Sequence, residues 1–431
     1  MREELLQPDQ IPLLEELAAN AASNANKRRA RILLLYHGGK DTREISEMVG
    51  LAPRTVRFWR GEFLKHGMDI FSRAVEVELS ETSTGEPVPV EIETLGQMRP
   101  THTTESGNVP FPSVRKNPGV KPDDSMAEAG RKILRFHFAH MLNHEQGTRL
   151  GADIEELHDM RVATRRMRAA FEVFKPFYRK KLVKNLQKGL RATGRALGRV
   201  RDLDVLLEKA EHHLETLPEA DRPGLDPLLE TWQQERASER DKLLAHLDSE
   251  SYGHFKQEFN IFTSTPDAEV RHSSGTNSRP DLVQHVLPIL VYTNLARVRA
   301  LEGILSSATV EQLHALRIEF KKLRYTLEFF REVLGPQAKG VVEELKAMQD
   351  HLGDLNDANV ACQLLGKFIE NWEERQAELP LHERQNPEPV VAYLAAKHAE
   401  RYQLMVTFPQ AWEHFNRPEL MANIALAISV L

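Results

Sequence analysis

The sequence contains very little cysteine and no long apolar run. Cys362 is the single cysteine among 431 residues, which excludes an internal disulfide and any zinc site built on cysteines. The longest apolar runs, such as 289–291 and 32–35, are far too short to cross a bilayer. The first ten residues are acidic and polar, unlike a secretory signal. We therefore expect a soluble, cytoplasmic protein that does not contact membranes.

The sequence also has no surplus of positive charge, since it contains 57 Lys and Arg and 63 Asp and Glu. Taken alone, the net charge of −6 argues against an anion-binding protein. The average conceals an asymmetry, because residues 155–201 contain fourteen Lys or Arg and only four Asp or Glu. Local field governs the capture of anions, so this segment points to an anionic partner.

The length predicts more than one domain, and the composition changes along the chain. Residues 1–72 have apolar residues at helical spacing and are predicted to form a small helical domain, in which Thr42 caps the second-last helix. Residues 73–124 are acidic, rich in Pro, Ser and Thr, and predict a disordered linker. A short strand at 88–93 is the alternative. Residues 125–431 are helical almost throughout.

The helical region contains an internal duplication. Residues 157–168 (LHDMRVATRRMR) resemble residues 313–324 (LHALRIEFKKLR) at an offset of 156, and both copies continue into an aromatic segment. Residues 197–204 align with 352–359 at an offset of 155. Two matched motifs at a nearly constant offset predict two similar half-domains around a pseudo-twofold axis. Their expected bounds are about 125–263 and 281–431, with a Gly-, Pro- and Ser-rich connection at 264–280.

Each copy of the first motif carries a basic stripe. On a helix, residues spaced i, i+3, i+7 and i+10 share one side, opposite to apolar residues such as Met160 and Met167. The first stripe is His158, Arg161, Arg165 and Arg168, flanked by Arg166, and it is about 15 Å long. The second stripe is His314, Arg317, Lys321 and Arg324, flanked by Lys322. Further basic residues follow at near-helical spacing, among them Lys184, Lys188, Arg195 and Arg201.

Like charges one helical turn apart repel each other, and no acidic residue interrupts the run from Arg161 to Arg168. A bound polyanion removes that repulsion, and the arginine fork matches pairs of phosphate oxygens. The alternative is a solvated outer face. The two histidines are expected to hydrogen-bond phosphate or a carboxylate, rather than to bind metal or only to pack. No metal or cofactor is expected.

Four carboxylates recur in the second motif, and they allow two interpretations. Spaced carboxylates can hold Mg²⁺, but they can equally pair with the motif arginines and fix their rotamers, which we favour. These residues are Asp202, Asp204, Asp354 and Asp357.

The duplicated motifs resemble the CHAD family, the conserved histidine α-helical domain, over about 125–431. This resemblance implies an all-α fold of two pseudo-symmetric four-helix bundles. It also implies non-catalytic binding of inorganic polyphosphate through the two stripes and their flanking residues. Some CHAD domains are fused to a triphosphate-hydrolysing tunnel domain, which needs a Glu-x-Glu-x-Lys strand. Residues 75–79 and 90–93 lack the lysine, so we do not expect hydrolase activity.

Residues 42–60 resemble a homeodomain-like helix-turn-helix of the transposase type, with Gly50 at the turn. The resemblance makes four residues on its third helix available for DNA: Arg54, Thr55, Arg57 and Arg60. A module that only packs, without contacting DNA, is the alternative.

We therefore expect a bacterial-type protein that binds polyphosphate without turning it over, coupled to DNA binding or to localisation at polyphosphate granules or the nucleoid. Two alternatives stay open. One is a Mg-dependent enzyme acting on phosphate chains. The other is a DNA-binding regulator whose C-terminal domain only senses anions.

Overall fold

The computed structural model describes residues 6–7, 10–20, 24–49, 56–57, 59–60, 63–64, 67–68, 71, 109–151, 153–266, 270 and 281–431. The chain divides into two compact units, 1–107 and 108–431, which are described separately. Most of the predicted linker, including the segment 88–93 for which a strand was the alternative, lies outside the described residues. None of the described helices is long and apolar enough to cross a membrane.

The first unit contains three short helices: α1 (Gln10–Asn20), α2 (Asn24–His37) and α3 (Thr42–Val49). Further helical residues at 56–57, 59–60 and 63–64 bring Trp59 and Phe63 into the core. The cap of α3 is Asp41 rather than the predicted Thr42. Its carboxylate accepts hydrogen bonds from the Arg43 and Glu44 amides at 2.8 Å, because the helix begins one residue earlier than the pattern indicated.

The second unit is built from eleven α-helices in its described part. In chain order they are α4 (Met126–Asn143), α5 (Glu145–Leu150), α6 (Ile154–Phe174), α7 (Lys180–Thr216), α8 (Asp226–Asp248), α9 (Glu250–Ser264), α10 (Val283–Arg299), α11 (Val310–Phe329), α12 (Ala338–Ala377), α13 (Glu388–Phe415) and α14 (Pro418–Ile428). Leaving aside the short α5, helices α4 and α6–α9 have counterparts in α10–α14. The all-α fold, with a duplicated helical domain after a helix-turn-helix domain, is thus confirmed.

The starts of the two halves show the pseudo-twofold directly. The Met126 amide donates to the Asp281 carbonyl at 2.6 Å, and the Val283 amide donates to the Asp124 carbonyl at 2.9 Å. This reciprocal exchange ties the first helix of one half to the first helix of the other. Because both bonds join equivalent positions, they place the symmetry axis between α4 and α10 at this point.

Residues 109–124 belong to the second unit, which therefore begins before the boundary expected at 125. The Glu332 carboxylate accepts hydrogen bonds from the Gly119 and Val120 amides at 2.9 and 3.0 Å. The Asn260 side chain donates to the Val109 carbonyl at 2.7 Å. Polar side chains of distant helices hold this segment in place, and such partners cannot be recognised from local composition.

Two apolar cores stabilise the second unit. The larger one extends through both halves and contains Phe171 and Phe320. The smaller one joins the C-terminal parts of α7 and α12 and contains Trp232 and Tyr393. Helix α13 contains Pro409 but does not end there, and it continues to Phe415. Phe408, Trp412 and Phe415 are buried there, and their packing outweighs the cost of an internal proline.

Candidate functional site

Both basic stripes begin at well-capped helix starts. The Asp153 carboxylate accepts a hydrogen bond from the Glu155 amide at 2.9 Å and caps α6. Thr309 and Gln312 form a reciprocal capping box at the start of α11. These caps fix where each helix begins, and hence which side of it carries the basic residues.

The two stripes line one cleft of about 1150 Å³. Helix α6 contributes Arg161, Arg165 and Arg168, and α11 contributes Arg317 and Lys321. Helices α7, α8 and α12 supply the remaining walls. The internal repeat therefore brings two cationic surfaces, 156 residues apart in sequence, to the same space.

Positive charge exceeds negative charge two to one in this cleft. Ten lysines and arginines line it: Arg161, Arg165, Arg168, Arg191, Arg199, Arg201, Lys209, Lys242, Arg317 and Lys321. Five acidic residues line it: Glu172, Asp202, Glu235, Glu239 and Asp357. The protein as a whole is acidic, so this local excess is specific to the cleft.

Lys321 shows the imbalance most clearly. Burial lowers the pKa of its ammonium group, and Arg165, Arg317, Arg168 and Arg324 lower it further. No hydrogen bond or ion pair of Lys321 occurs within the described part of the chain. A half-buried cation among arginines raises the energy of the empty protein, and an anion in the cleft would remove that cost.

Two glycines at equivalent positions leave space for two arginine side chains to extend into the cleft. Gly198 on α7 lies beneath Arg161, and a Cβ added there would be 3.7 Å from the Arg161 Nε. Gly353 on α12 lies beneath Arg317, with a corresponding distance of 3.8 Å. Both glycines belong to the second repeated motif. In each half, the second motif thus provides room for an arginine of the first motif.

The four recurring carboxylates mostly pair with cations. Asp202 accepts a hydrogen bond from Arg161 at 3.0 Å, as expected for a residue that holds a motif arginine. The Asp357 carboxylate lies 3.5 Å from the Lys209 ammonium group, which reaches it from α7. Although both side chains are exposed, partial desolvation by neighbouring atoms raises the pKa of Asp202 and of Asp354.

Asp204 is fully buried and bonds Arg236 on α8, which is not a motif arginine. Its counterpart Asn359 accepts from Arg401 on α13 at 3.0 Å. These two bonds clamp equivalent helices in the two halves. Within the described residues, no group of three or more His, Cys, Asp or Glu is arranged to hold a metal ion.

The two histidines have different surroundings. His314 is exposed, and its Nδ1 lies 2.8 Å from the Asn356 Oδ1. His158 lines the cleft, and burial lowers its pKa, with a further contribution from Arg201. Arg201 occupies the position of Asn356 in the other half, so one histidine meets a cation where the other meets an amide. Within the described residues neither histidine forms a hydrogen bond or ion pair with a carboxylate, so phosphate stays the expected partner of the two.

Comparisons with known proteins agree with this architecture. The family model described as CHAD domain matches residues 132–366, more than half of the chain. The chain belongs to the CHAD domain family. A helix-turn-helix domain model matches residues 28–69. A comparison with curated proteins finds no match.

Solved structures resemble the CHAD region in fold. PptA from Streptomyces chartreusis is 14% identical with a TM-score of 0.51, covering 67% of this chain and 100% of its own. The CHAD domain from the plant Ricinus communis is 23% identical with a TM-score of 0.48, covering 75% of this chain and 98% of its own.

Half of the predicted polyphosphate residues of the CHAD domain line the cleft, and half do not. His158, Arg161, Arg165, Arg168, Arg201, Arg317 and Lys321 line it. Arg166, Lys184, Lys188, Arg195, His314, Lys322 and Arg324 do not. Of these, Arg324 donates to Glu328 and Gln349 at 2.6 Å, and Lys322 donates to Glu319 at 2.6 Å. The Arg166 guanidinium lies 3.5 Å from the Glu328 carboxylate, across the boundary between the halves.

Several cleft residues of the CHAD domain were not among the predicted contacts. Lys209 and Lys242 supply charge, and Gln349 and Asn356 supply amides. Arg191 and Arg199 belong to the basic series that follows the first stripe. For these two, the helical spacing gave a usable signal, whereas Lys242 lies on a helix with mixed charge and gave none.

The predicted DNA contacts of the first unit are only partly described. Arg54 and Thr55 lie outside the described residues, whereas Arg57 and Arg60 are exposed on a helical segment. The Arg60 guanidinium lies 5.2 Å from the centre of the Tyr36 ring. Arg29 stacks on Trp59 at 3.9 Å, so that basic residue has a packing role in this unit.

Proposed function

We propose that the CHAD domain of this protein binds inorganic polyphosphate in the cleft between its two halves and does not turn it over. The environment of Lys321 is the observation that carries the proposal. Lys321 lines the cleft together with Arg165, Arg168 and Arg317 and has no anionic partner in the described chain, so this group of cations attracts negative charge from outside.

The kind of anion follows from the arrangement of the donors. Arg165 and Arg168 from one half face Arg317 and Lys321 from the other, so contacts are spread along both walls of the cleft. A linear chain of phosphates offers oxygens along its whole length, and guanidinium groups bind such oxygens in pairs. A single phosphate would leave most of these donors unused.

Binding without catalysis is supported by the state of the carboxylates. Asp202 and Asp357 are paired with Arg161 and Lys209, and Asp204 is buried against Arg236. Carboxylates held by cations are poorly placed to collect Mg²⁺, which prefers several free oxygen ligands. Incubation of the full-length protein with polyphosphate and Mg²⁺ tests this point. Steady release of phosphate or of shorter chains would establish the enzymatic alternative.

The binding test compares two double variants by calorimetric titration with polyphosphate. Replacing Arg165 and Lys321 by Ala removes one cation from each wall, and we expect affinity to fall by at least about tenfold, since each lost charged contact costs on the order of 1 kcal/mol or more. Replacing Lys339 and Lys346, exposed residues of α12 outside the cleft, is the charge-matched control and should change affinity little. Equal losses in both variants would refute binding in the cleft.

Salt provides a second readout. A ligand held by several cations releases counterions on binding, so affinity should fall steeply as salt rises, and less steeply for the cleft variant. DNA and RNA at the same salt serve as competitors, because they share the phosphate chemistry. An affinity that does not depend on salt would contradict the proposal.

We also propose that the first unit binds DNA, which would couple polyphosphate to the nucleoid or allow it to compete with DNA. The observation that favours this is the helix-turn-helix match at 28–69 together with exposed Arg57 and Arg60 on a helical segment. Selection of binding sequences from a random DNA pool with the full chain tests it. Replacing Arg57 and Arg60 by Ala should abolish retention, whereas the Lys40→Ala control should not, and retention that survives in the double variant would point to the CHAD cleft.

A further inference from the structure

A row of exposed cations on α7 leads into the cleft. Lys184, Lys188, Arg191, Arg195 and Arg199, here called the basic ridge, are all exposed. Their spacing of i, i+4, i+7, i+11 and i+15 places them on one side of the helix, over a length of about 22 Å. Arg191 and Arg199 line the cleft, and Lys184 and Lys188 lie one to two turns beyond it.

The basic ridge has almost no internal compensation. In the described part of the chain its single hydrogen bond joins the Arg191 Nη2 to the Gln187 Oε1 at 3.1 Å, and none of its members forms an ion pair. Five like charges at one-turn spacing repel each other. The repulsion is relieved if the ridge lies along an anionic chain.

The other half of the domain shows that the fold does not require such a ridge. At the offset of 155 residues, the equivalent positions on α12 are Lys339, Glu343, Lys346, Asp350 and Asp354. These residues are also exposed, but their formal charges sum to −1, against +5 for the basic ridge. The duplicated helices thus keep the same shape and differ in charge along the surface that leaves the cleft.

The part of the lining that α12 contributes offers a polyanion little. It contains no lysine or arginine, the Asp357 carboxylate repels phosphate and pairs with Lys209, and Val360 and Leu364 are apolar. An anionic chain extending in that direction would lose its hydration without gaining donors. The route over α7 therefore differs in charge from the route over α12.

We infer that a phosphate chain too long for the cleft leaves it along the basic ridge of α7 and not along α12. This inference rests on the proposed function and adds a second, outer binding site to it. The ridge makes affinity depend on chain length, because only a chain that fills the cleft and continues outward contacts Lys184 and Lys188.

The test pairs two ligands with two variants of the full-length protein. The ligands are tripolyphosphate, which is short enough for the cleft, and a long polyphosphate of narrow length distribution. Replacing Lys184 and Lys188 by Glu should lower affinity for the long chain by about tenfold, given up to about 1 kcal/mol for each exposed charge contact. The effect on tripolyphosphate should be several times smaller.

The double variant Lys339→Glu with Lys346→Glu is the matched control, since it changes the net charge equally on the corresponding surface of α12. All four lysines are exposed and glutamate has a helix propensity close to that of lysine, so we expect both variants to fold. We expect this control to lower affinity for the long chain much less than the ridge variant does.

Two patterns of loss would overturn the inference: equal losses in the ridge and control variants, or a ridge loss that is as large for tripolyphosphate as for the long chain. An unchanged long-chain affinity in the ridge variant would overturn it as well. The double variant Arg165→Ala with Lys321→Ala distinguishes a failure of this inference from a failure of the proposed function. If it binds tripolyphosphate as the unchanged protein does, the cleft itself is not the site, and both proposals fail.

Discussion

At the scale of single residues, the charge of Lys321 lowers the stability of the folded protein while the cleft is empty. Its pKa is lowered from an ordinary value of 10.5 by burial and by arginines. Below the lowered folded-state pKa, both the folded and the unfolded chain hold the proton, and the charge destabilises the folded state. Between that pKa and 10.5, unfolding takes up a proton, so stability rises with pH over this window.

Replacing Lys321 by Met should therefore stabilise the protein without ligand at pH 7, while weakening polyphosphate binding. The advantage over the unchanged protein should shrink as the pH approaches 10.5. Urea denaturation of both proteins between pH 7 and pH 10 measures the difference. A lower stability of the Met variant at pH 7 would mean that Lys321 is neutralised in the free protein.

His158 makes the affinity for polyphosphate depend on pH. Burial and Arg201 lower its pKa, so the imidazole in the empty cleft is neutral at pH 7. A bound polyanion favours the charged form and raises that pKa. We expect affinity to increase as the pH falls through the interval between the pKa of His158 in the complex and its pKa in the free protein. Titration in buffers of different ionisation enthalpy measures the accompanying proton uptake. The His158→Gln variant should lack this increment, and an unchanged pH dependence would assign it elsewhere.

At the scale of helices, the glycines of the second motif decide whether the arginines reach the cleft. A Cβ at Gly198 or Gly353 would make ordinary contacts with Arg161 or Arg317 at 3.7 and 3.8 Å. Alanine should therefore be accepted at either position and raise stability by up to about 1 kcal/mol, the difference in helix propensity.

Leucine at either glycine should displace the guanidinium above it and weaken polyphosphate binding, although the helix itself still forms. Comparing alanine and leucine variants by thermal melting and by titration separates the two effects. If the leucine variants bind as well as the alanine variants, the arginine paths over Gly198 and Gly353 are not needed for the site.

The sequence predicted the helices better than it predicted their ends. The apolar spacing located α6 and α11 because Met160, Leu316 and their neighbours are buried at every turn. The end of α13 cannot be read from the local sequence, because Pro409 is typical of a break, whereas the burial of Phe408 and Trp412 depends on residues far away in the chain. The cap at Asp41 was missed by a single residue.

For the whole molecule, the cleft belongs to neither half alone. Arg165 and Arg168 come from one half and Arg317 and Lys321 from the other, and Phe174 packs against Phe330 at 5.7 Å between the ring centres. A ligand that contacts both walls binds only when the halves are assembled. Binding should therefore stabilise the CHAD domain as a unit.

Polyphosphate should raise the melting temperature of the CHAD domain as the logarithm of its concentration. When the free ligand concentration is a hundred times Kd, the free energy of unfolding increases by about 2.7 kcal/mol. The double variant Arg165→Ala with Lys321→Ala should show a much smaller shift at the same concentration. Calorimetric scans of the full chain measure both, and equal shifts in the two proteins would place the ligand outside the cleft.

How much of the site could be predicted depends on how its residues are distributed. Arg161 and Arg317 were found because the repeat displays them twice and the helical period places them on one side. Lys242 and Gln349 were not found, because they enter the cleft from helices whose sequence carries no basic stripe. Arg324 was expected to face the ligand but is bound to Glu328, a pairing that requires the geometry of α11.

The pseudo-twofold has a consequence for which ligands suit the cleft. Inorganic polyphosphate reads the same from either terminus, so a chain entering in either sense presents identical oxygens to both walls. A strand of nucleic acid has a 5′ and a 3′ sense, and reversing it exchanges the positions of sugar and base relative to each phosphate. The stripes of α6 and α11 are related by the pseudo-twofold, and such a pair suits a polymer without polarity, in which every phosphate is an equally good starting point for capture.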